Sequence, residues 1–341
     1  MSTTKKVTIQ DVAKACGVAV SSVSKALNNP PETCPLKDET RDRVITTARK
    51  LGYQPNWHSK AQTRAIGILQ SHDSWLFSGI YNDMFHELFI EIKKQNYFVS
   101  YQPLVPTEDE ADLLSTDKQV DGNLVVGWVP EWLVNELIGR PTPFVLLNHK
   151  SERAPSIVFD DYNGARMATE HLLELGHERI GFYQSYGKIE VKPGYPPHYS
   201  QPERKRGFLE SMERAGLRQQ AICFSGETDE VVRKYVQEEH PLTAVICYSH
   251  TLALKLLREL RLAGLNPPED LSIITFNDVY PTGDVYPSIT ALNLPVSILV
   301  ESGLTMLFDL IKDPSIFPTA PVISFPEELV IRESTVPHRK S

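Results

Sequence analysis

Between residues 7 and 28 the apolar positions recur twice with helical spacing, and one glycine separates the two runs. Ile9, Val12, Ala13 and Cys16 fall on one face of a first short helix. Thr8 stands at its N-cap, and Asp11, three residues on, completes a capping box. Gly17 provides the stop, because glycine adopts a positive φ at little cost. A second helix is predicted from Ala19 to Leu27, with Val23 and Leu27 turned inward. Val20, Ser21, Ser22 and Lys25 are left on its outer face, toward the N-terminal end. A third run, Val44, Ala48 and Leu51, ends at Gly52 and Pro55. Three such helices close a small core, and a helix–turn–helix of this form presents its second helix to the major groove of DNA.

From Ala65 onward the pattern changes. Short apolar runs, 65–69, 97–101, 122–127, 143–148 and 156–159, alternate with amphipathic stretches such as 79–95 and 163–175. A second set follows, with strands at 180–183, 222–224, 244–248 and 271–276, and helices at 204–215, 229–238 and 251–263. Alternation of this kind predicts doubly wound parallel sheets. The near-continuous Val, Ile and Leu strands fit burial on both faces. The length accommodates two such sheets, with a site at the carboxyl ends of their strands. The fold class is therefore α/β: a small all-α helix-turn-helix head followed by a two-subdomain doubly wound body.

Charge separates head from body. Residues 1–66 hold 11 Lys and Arg against 5 Asp and Glu, a net of +6. The whole chain is −8, so the remainder carries −14. A basic head on an acidic body is the footprint of a module that meets phosphate.

The head resembles the N-terminus of the LacI/GalR family of bacterial transcription regulators. Thr8-Ile9-x-Asp11-Val12-Ala13, Gly17-Val18, Ser22-Val23-Ser24, Asn28, Thr40-Arg41 and Gly52-Tyr53-x-Pro55-Asn56 carry the likeness. The body resembles the family's periplasmic-binding-protein-like effector domain. There the landmarks are Asp121-Gly122, Asp160-Asp161-x-x-Gly164, His171-Leu172, Gly176-His177-x-x-Ile180, Arg204 before Gly207-Phe208, and Arg332-Glu333-Ser334. The resemblance implies a DNA-binding domain over 1–55, a hinge or linker over 56–65, and an effector-binding and dimerisation domain over 66–341. It divides that domain into an N-subdomain, about 66–159 and 291–322, and a C-subdomain, about 160–290 and 323–336, with three crossings between them.

Residue by residue, the resemblance assigns base reading to Val20, Ser21 and Lys25 and a phosphate contact to Ser22. Thr8, Asn28, Asn56 and Trp57 complete the DNA-binding set. Arg204 matches the effector-binding arginine, whose guanidinium is a rigid fork of donors for hydroxyls or a carboxylate. Trp75, Phe77, Trp128, Tyr248 and Asn277 are the other effector-site residues, the aromatics because they follow strand ends and can stack on sugar faces.

Several positions depart from the family. Ala19 replaces a serine cap, a loss of about 1 kcal/mol. The loop 28–39 is long and carries a Pro pair, Pro30-Pro31. In the hinge, Gln62 occupies the place of the leucine that wedges between base pairs, which implies a less bent operator unless Trp57 or another residue substitutes. Asn277, followed by Asp278, replaces an effector-ligating aspartate, and Ser249-His250 replaces an Asn-Asp pair. The Tyr- and Pro-rich stretch 183–202 reads as either a lid or a surface loop.

The remaining chemistry is exclusion. No run of eighteen apolar residues occurs, so no membrane span is expected, and the N-terminus has no apolar signal region, so a cytoplasmic protein is expected. Cys16, Cys34, Cys223 and Cys247 have no paired spacing and read as free, mostly buried thiols. His171 and His177, six apart, share no clear helical face, and no metal or cofactor is expected. A solute-binding protein would lack the basic helical head, and an α/β enzyme would show a catalytic constellation; neither fits. The expected protein is a ligand-responsive transcription regulator, a repressor, with a near-palindromic double-stranded operator, a homodimeric assembly and a small carbohydrate effector as its partners.

Overall fold

A computed structural model describes residues 7–28, 34–51, 53, 63–70, 79–103, 120–184, 198–237, 241–313 and 321–338. The order begins with three helices, α1 (Ile9–Cys16), α2 (Val20–Asn28) and α3 (Asp38–Lys50). It continues with β1 (Ala65–Gln70), α4 (Gly79–Lys94), β2 (Phe98–Pro103), β3 (Gly122–Val126), α5 (Glu131–Gly139), β4 (Phe144–Leu147) and β5 (Ser156–Phe159). Then come α6 (Asp161–Glu174), β6 (Ile180–Tyr183), α7 (Ser200–Arg214), β7 (Ala221–Phe224), α8 (Thr228–Gln237), β8 (Ala244–Cys247) and α9 (His250–Leu262). The last elements are β9 (Ser272–Phe276), β10 (Thr290–Asn293), α10 (Val296–Lys312), β11 (Val322–Phe325) and β12 (Glu328–Val330).

The chain forms two compact units. The first comprises Met1–Leu76, Met84–Val158 and Ser297–Ile323, and the second Phe77–Asp83, Phe159–Val296 and Ser324–Ser341. The head core joins Val12, Ala13 and Cys16 of α1 to Val23, Ala26 and Leu27 of α2 and to Val44, Ile45 and Ala48 of α3. Thr8 caps α1 through the complete capping box, its hydroxyl donating to Asp11 Oδ2 at 2.7 Å, and Gly17 ends the helix at φ 65°. One expectation fails here. Leu51 is 38 % exposed, because α3 stops at Lys50 and the chain turns back so that the Tyr53 N–H reaches the Ala48 carbonyl. Ile45, one residue beyond Val44, supplies the missing apolar contact.

The first unit's sheet has the order β11-β5-β4-β3-β1-β2, with β1 parallel to both β2 and β3, and β3, β4 and β5 parallel in turn. Every residue of β3, β4 and β5 is buried, as continuous Val/Ile/Leu strands require. Asp121 fixes the chain where it enters this sheet, accepting from the Thr63 N–H and hydroxyl and from the Arg64 N–H at 2.8–3.0 Å. The second unit's sheet has the order β12-β10-β9-β8-β6-β7, parallel except for the antiparallel β10–β12 pair. Its core gathers Phe182, Tyr183, Phe208, Ile246, Leu256 and Phe276, among others.

All nine predicted strands and the five predicted body helices are present, with bounds displaced by a few residues. Helices α5 and α10 and strands β10, β11 and β12 were not expected as elements. The three strands are short, and β11 and β12 are partly exposed, so no apolar run marks them. Two of the four free thiols, Cys34 and Cys223, are only half-buried. Among the described residues no helix is long and apolar enough to cross a membrane, and no cluster of His, Cys, Asp and Glu could hold a metal ion.

In the second unit α7 lies against α6 at a distance that only glycine permits. A Cβ on Gly207 would stand 2.3 Å from the Tyr162 carbonyl oxygen and 2.9 Å from Ala165 Cβ, and backbone cannot yield as a flexible side chain can. Gly207→Ala is expected to destabilise the second unit by about 1–3 kcal/mol through overpacking, measured as a lowered denaturant midpoint with the slope unchanged.

Candidate functional site

The head presents one polar face. On α2, Val20 is 43 % exposed, Ser21 and Lys25 are exposed, and Ser22 is half-buried. Val23, Ala26 and Leu27 hold the opposite face in the core. Ala19 contributes no side-chain cap, and its carbonyl accepts from the Ser22 and Val23 N–H groups at 2.9 and 3.2 Å. A helix N-terminus left open by its side chain is a natural neighbour for phosphate. Thr8 is exposed and its hydroxyl is engaged with Asp11, so its demonstrated work is capping. Asn28 ends α2. Asn56 and Trp57, the hinge position Gln62, and most of the linker 56–65 lie outside the described residues.

The second unit contains a buried polar cluster around Arg204. Residues Ser200–Arg214 form α7, and Arg204 projects from its first turns into the space between α6 and β9. Its Nε donates to Asp161 Oδ1 at 2.6 Å and one terminal nitrogen donates to the Tyr248 carbonyl at 2.7 Å. The guanidinium carbon lies over two rings, 3.9 Å from the Phe276 centroid and 4.7 Å from that of Tyr248. Tyr248 itself shares a hydrogen bond with Ser200 Oγ at 2.6 Å. Tyr199 accepts from the Phe159 N–H at 3.2 Å and hydrogen-bonds Asp161.

Burial raises the Asp161 carboxyl, while the Arg204 charge and hydrogen bond oppose the rise. Glu327 lies beside it, 6 % exposed, and burial together with the Asp161 charge pushes its carboxyl well above the ordinary range. Burial likewise lifts the Tyr199 phenol well above its usual value. Arg204 is therefore the cation of a buried ion pair, and the residues that complete the cluster, Asp161, Tyr199, Ser200 and Glu327, were not expected. Asp161 carried a signal, since it stands in the Asp160-Asp161-x-x-Gly164 landmark. Glu327 carried none, because it comes from the far C-terminal connection between β11 and β12.

Asn277 follows β9 at φ 66°, a left-handed conformation that asparagine tolerates better than most residues. Asp278 is held bidentately by Arg332 at 2.8 and 2.7 Å and accepts from Thr282. Burial works against its ionisation, but these bonds outweigh it and hold the carboxyl below its usual range. Trp128 belongs to the first unit, half-buried just after β3. Trp75 and Phe77, and residues 185–197 of the Tyr- and Pro-rich stretch, lie outside the described residues.

Two family models match the two parts separately. Residues 8–56 match the family model described as bacterial regulatory proteins, lacI family. Residues 169–335 match a periplasmic binding protein-like domain. The chain joins a lacI-family regulatory domain to a periplasmic binding protein-like domain. The NTD biosynthesis operon regulator NtdR of Bacillus subtilis (strain 168) is 27 % identical, over 96 % of this chain and 99 % of its own. Among solved structures, a complex of the transcriptional regulator CelR with cellobiose aligns at TM-score 0.66 and 22 % identity, covering 97 % of this chain and 100 % of that one. A lac repressor dimer bound to operator and the anti-inducer ONPF aligns at TM-score 0.68 and 21 % identity, with the same coverage. The fold shared with these structures is the two-subdomain α/β body with a helix-turn-helix head. Members of this family are regulators and not enzymes.

The two histidines of the lacI-family body landmarks serve the fold. His177 Nδ1 bonds Thr243 Oγ1 and its Nε2 bonds the Val336 carbonyl, both at 3.0 Å, while His171 Nε2 bonds Thr335 Oγ1 at 3.3 Å. Burial pushes His177 down to about 4. The unfolded chain, with histidine at about 6.5, takes up the proton first, so this contribution to stability is present above that value and lost as pH falls toward 4. Burial lowers His171 and His250 in the same direction. Melting temperature is expected to fall on acidification from about pH 7 to about pH 5, with a shallower fall in His177→Gln, followed by thermal melts at each pH.

Proposed function

We propose that this chain is a ligand-responsive transcription repressor that binds a near-palindromic operator as a homodimer and senses a small carbohydrate. The DNA-binding module is 1–55, joined by a linker, 56–65, to the effector and dimerisation domain, 66–341. One observation carries the reading: a basic head whose second helix turns Val20, Ser21, Ser22 and Lys25 outward is joined to an acidic two-unit body. Two-fold symmetry in the protein calls for matching half-sites in the DNA. Exposed Phe89 and Ile90 on α4 and Phe98, 73 % exposed on the edge strand β2, supply apolar surface in the first unit for such an assembly. The lac repressor structure is a dimer on its operator, and the CelR structure holds cellobiose.

In this reading Val20, Ser21 and Lys25 read base edges, Ser22 meets a phosphate, and Thr8, Asn28, Asn56 and Trp57 complete the contact. Arg204, Tyr248 and Asn277 of the second unit, with Trp75, Phe77 and Trp128, form the effector set. A ligand acts by favouring one conformation of the body over another, and the coupling is its difference in affinity between the two.

Anisotropy titrations against the DNA upstream of its own coding sequence, at several salt concentrations, test the reading. The logarithm of affinity is expected to fall linearly with the logarithm of salt. Lys25→Ala is expected to weaken operator binding by about tenfold and to narrow the gap to unrelated DNA, as loss of a base contact does. An unchanged gap and slope would remove Lys25 from the groove.

The buried ion pair changes how the effector assignment is tested. Arg204→Ala would leave Asp161 as an unpaired buried charge, a cost of about 3–5 kcal/mol. Arg204→Lys keeps the charge and loses the planar, stacked fork. In calorimetric titrations with a panel of mono- and disaccharides, the sugar that binds the parent chain is expected to bind Arg204→Lys at least about tenfold more weakly, while operator affinity without sugar stays the same. Equal sugar affinity in the two proteins would refute the assignment.

A further inference from the structure

The polar cluster of the second unit holds two carboxyl groups for one guanidinium. Asp161 and Glu327 are 2 % and 6 % exposed, and Arg204 is 5 % exposed. Asp161 spends Oδ1 on Arg204, at 2.6 Å. Three carboxyl oxygens, Asp161 Oδ2 and both oxygens of Glu327, are buried with no donor among the described residues. The two carboxyl groups nevertheless lie close enough for each to act on the other's ionisation. Two ionised carboxylates cannot hold that contact in a dry interior, since each only accepts. One proton between them relieves that repulsion and turns one carboxyl into a donor. The backbone also fixes Glu327 in place: a Cβ on Gly164 would stand 2.1 Å from Glu327 Oε2, so the carboxyl lies directly on the α6 backbone.

The surrounding groups assign the proton. Asp161 faces Arg204 and the Tyr199 hydroxyl, both of which favour its charged form. Glu327 has no donor on either oxygen among the described residues, and burial together with the Asp161 charge disfavours its ionisation, with Arg204 opposing. Asp161 is the carboxylate and Glu327 the neutral acid. Arg204, charged at any physiological pH, then meets one full negative charge in direct contact, and the cluster is neutral as a whole.

We propose that Glu327 is a positioning residue whose proton pins the Asp161 carboxylate against Arg204, and that the compensated guanidinium adapts the effector site to a neutral, hydroxyl-bearing molecule and against a carboxylate or phosphate ligand. This rests on Arg204 being an effector contact, as proposed above, but its first half does not. An anion approaching Arg204 meets the field of Asp161, with Asp160 close behind. A hydroxyl brings no charge to that field, and it stacks and hydrogen-bonds within the frame of Tyr248 and Phe276 at little electrostatic cost.

Infrared spectroscopy of the full chain at neutral pH decides the first half. A carbonyl-stretch band of a buried, protonated carboxylic acid is expected in the parent protein and absent in Glu327→Gln, which preserves shape and a donor. No such band, or a band that survives the substitution, overturns the proposal whatever Arg204 binds. Sodium sulfate and sodium gluconate are the probes for the second half, followed by calorimetry. Asp161→Asn, which strips the compensating charge, is expected to bind either anion at least about tenfold more tightly than the parent chain, the gain of an uncompensated charge-assisted hydrogen bond. Equal anion affinity in the parent and Asp161→Asn overturns the ligand class. Failure of the effector assignment itself reads out separately, as unchanged sugar affinity in Arg204→Lys with the infrared band intact.

Discussion

The close approach of α6 and α7 is the constraint on which the second unit depends. Gly207 lets α7 come down onto the Tyr162 carbonyl, and Gly164 opens the α6 backbone to the Glu327 carboxyl. That spacing brings Arg204 within 2.6 Å of Asp161 and sets its Cζ over the rings of Phe276 and Tyr248. A buried ion pair is costly to assemble and costlier to break in half, because either partner alone is an uncompensated charge away from water. The cluster therefore ties together the α6 N-terminus, α7, the ends of β8 and β9, and the connection between β11 and β12. These are the segments that surround the carboxyl ends of the strands, where open α/β sheets receive ligands.

The head follows a simpler logic. Its core is small, nine buried residues from three helices among those described, so local signals decide much of it. The Thr8–Asp11 capping box and the positive φ of Gly17 set the start and the end of α1, and the inward residues of α2 follow from period alone. What turns outward is consequently fixed: Val20, Ser21, Ser22 and Lys25. The core residues and the proposed DNA contacts of the head thus lie on opposite faces of one nine-residue helix, α2.

Legibility in the sequence tracked how much of each element is buried and how locally it is specified. Central strands such as β3 and β4 are buried on both faces and read as unbroken apolar runs. Strands β11 and β12 have partial exposure and short length, and left no such trace. Leu51 was misplaced because its spacing from Val44 and Ala48 is helical, while the helix ends one residue before it. At the site, Arg204 was legible through its place ahead of Gly207-Phe208, yet its partners were not. Asp278 stood next to a landmark position, and only the geometry shows that Arg332 occupies it.

The sequence by itself determined the division of the chain into a basic helical head and an acidic α/β body, the periods of the main elements, and the outward face of α2. Those properties depend on neighbours within a turn or two, or on runs long enough to be buried whole. Tertiary structure alone decided that Arg204 is neutralised by Asp161 and that Glu327, more than 120 residues away along the chain, supplies the second carboxyl. Charge compensation in a low-dielectric interior is a matter of distance in space, and residue spacing along the chain carries no measure of it.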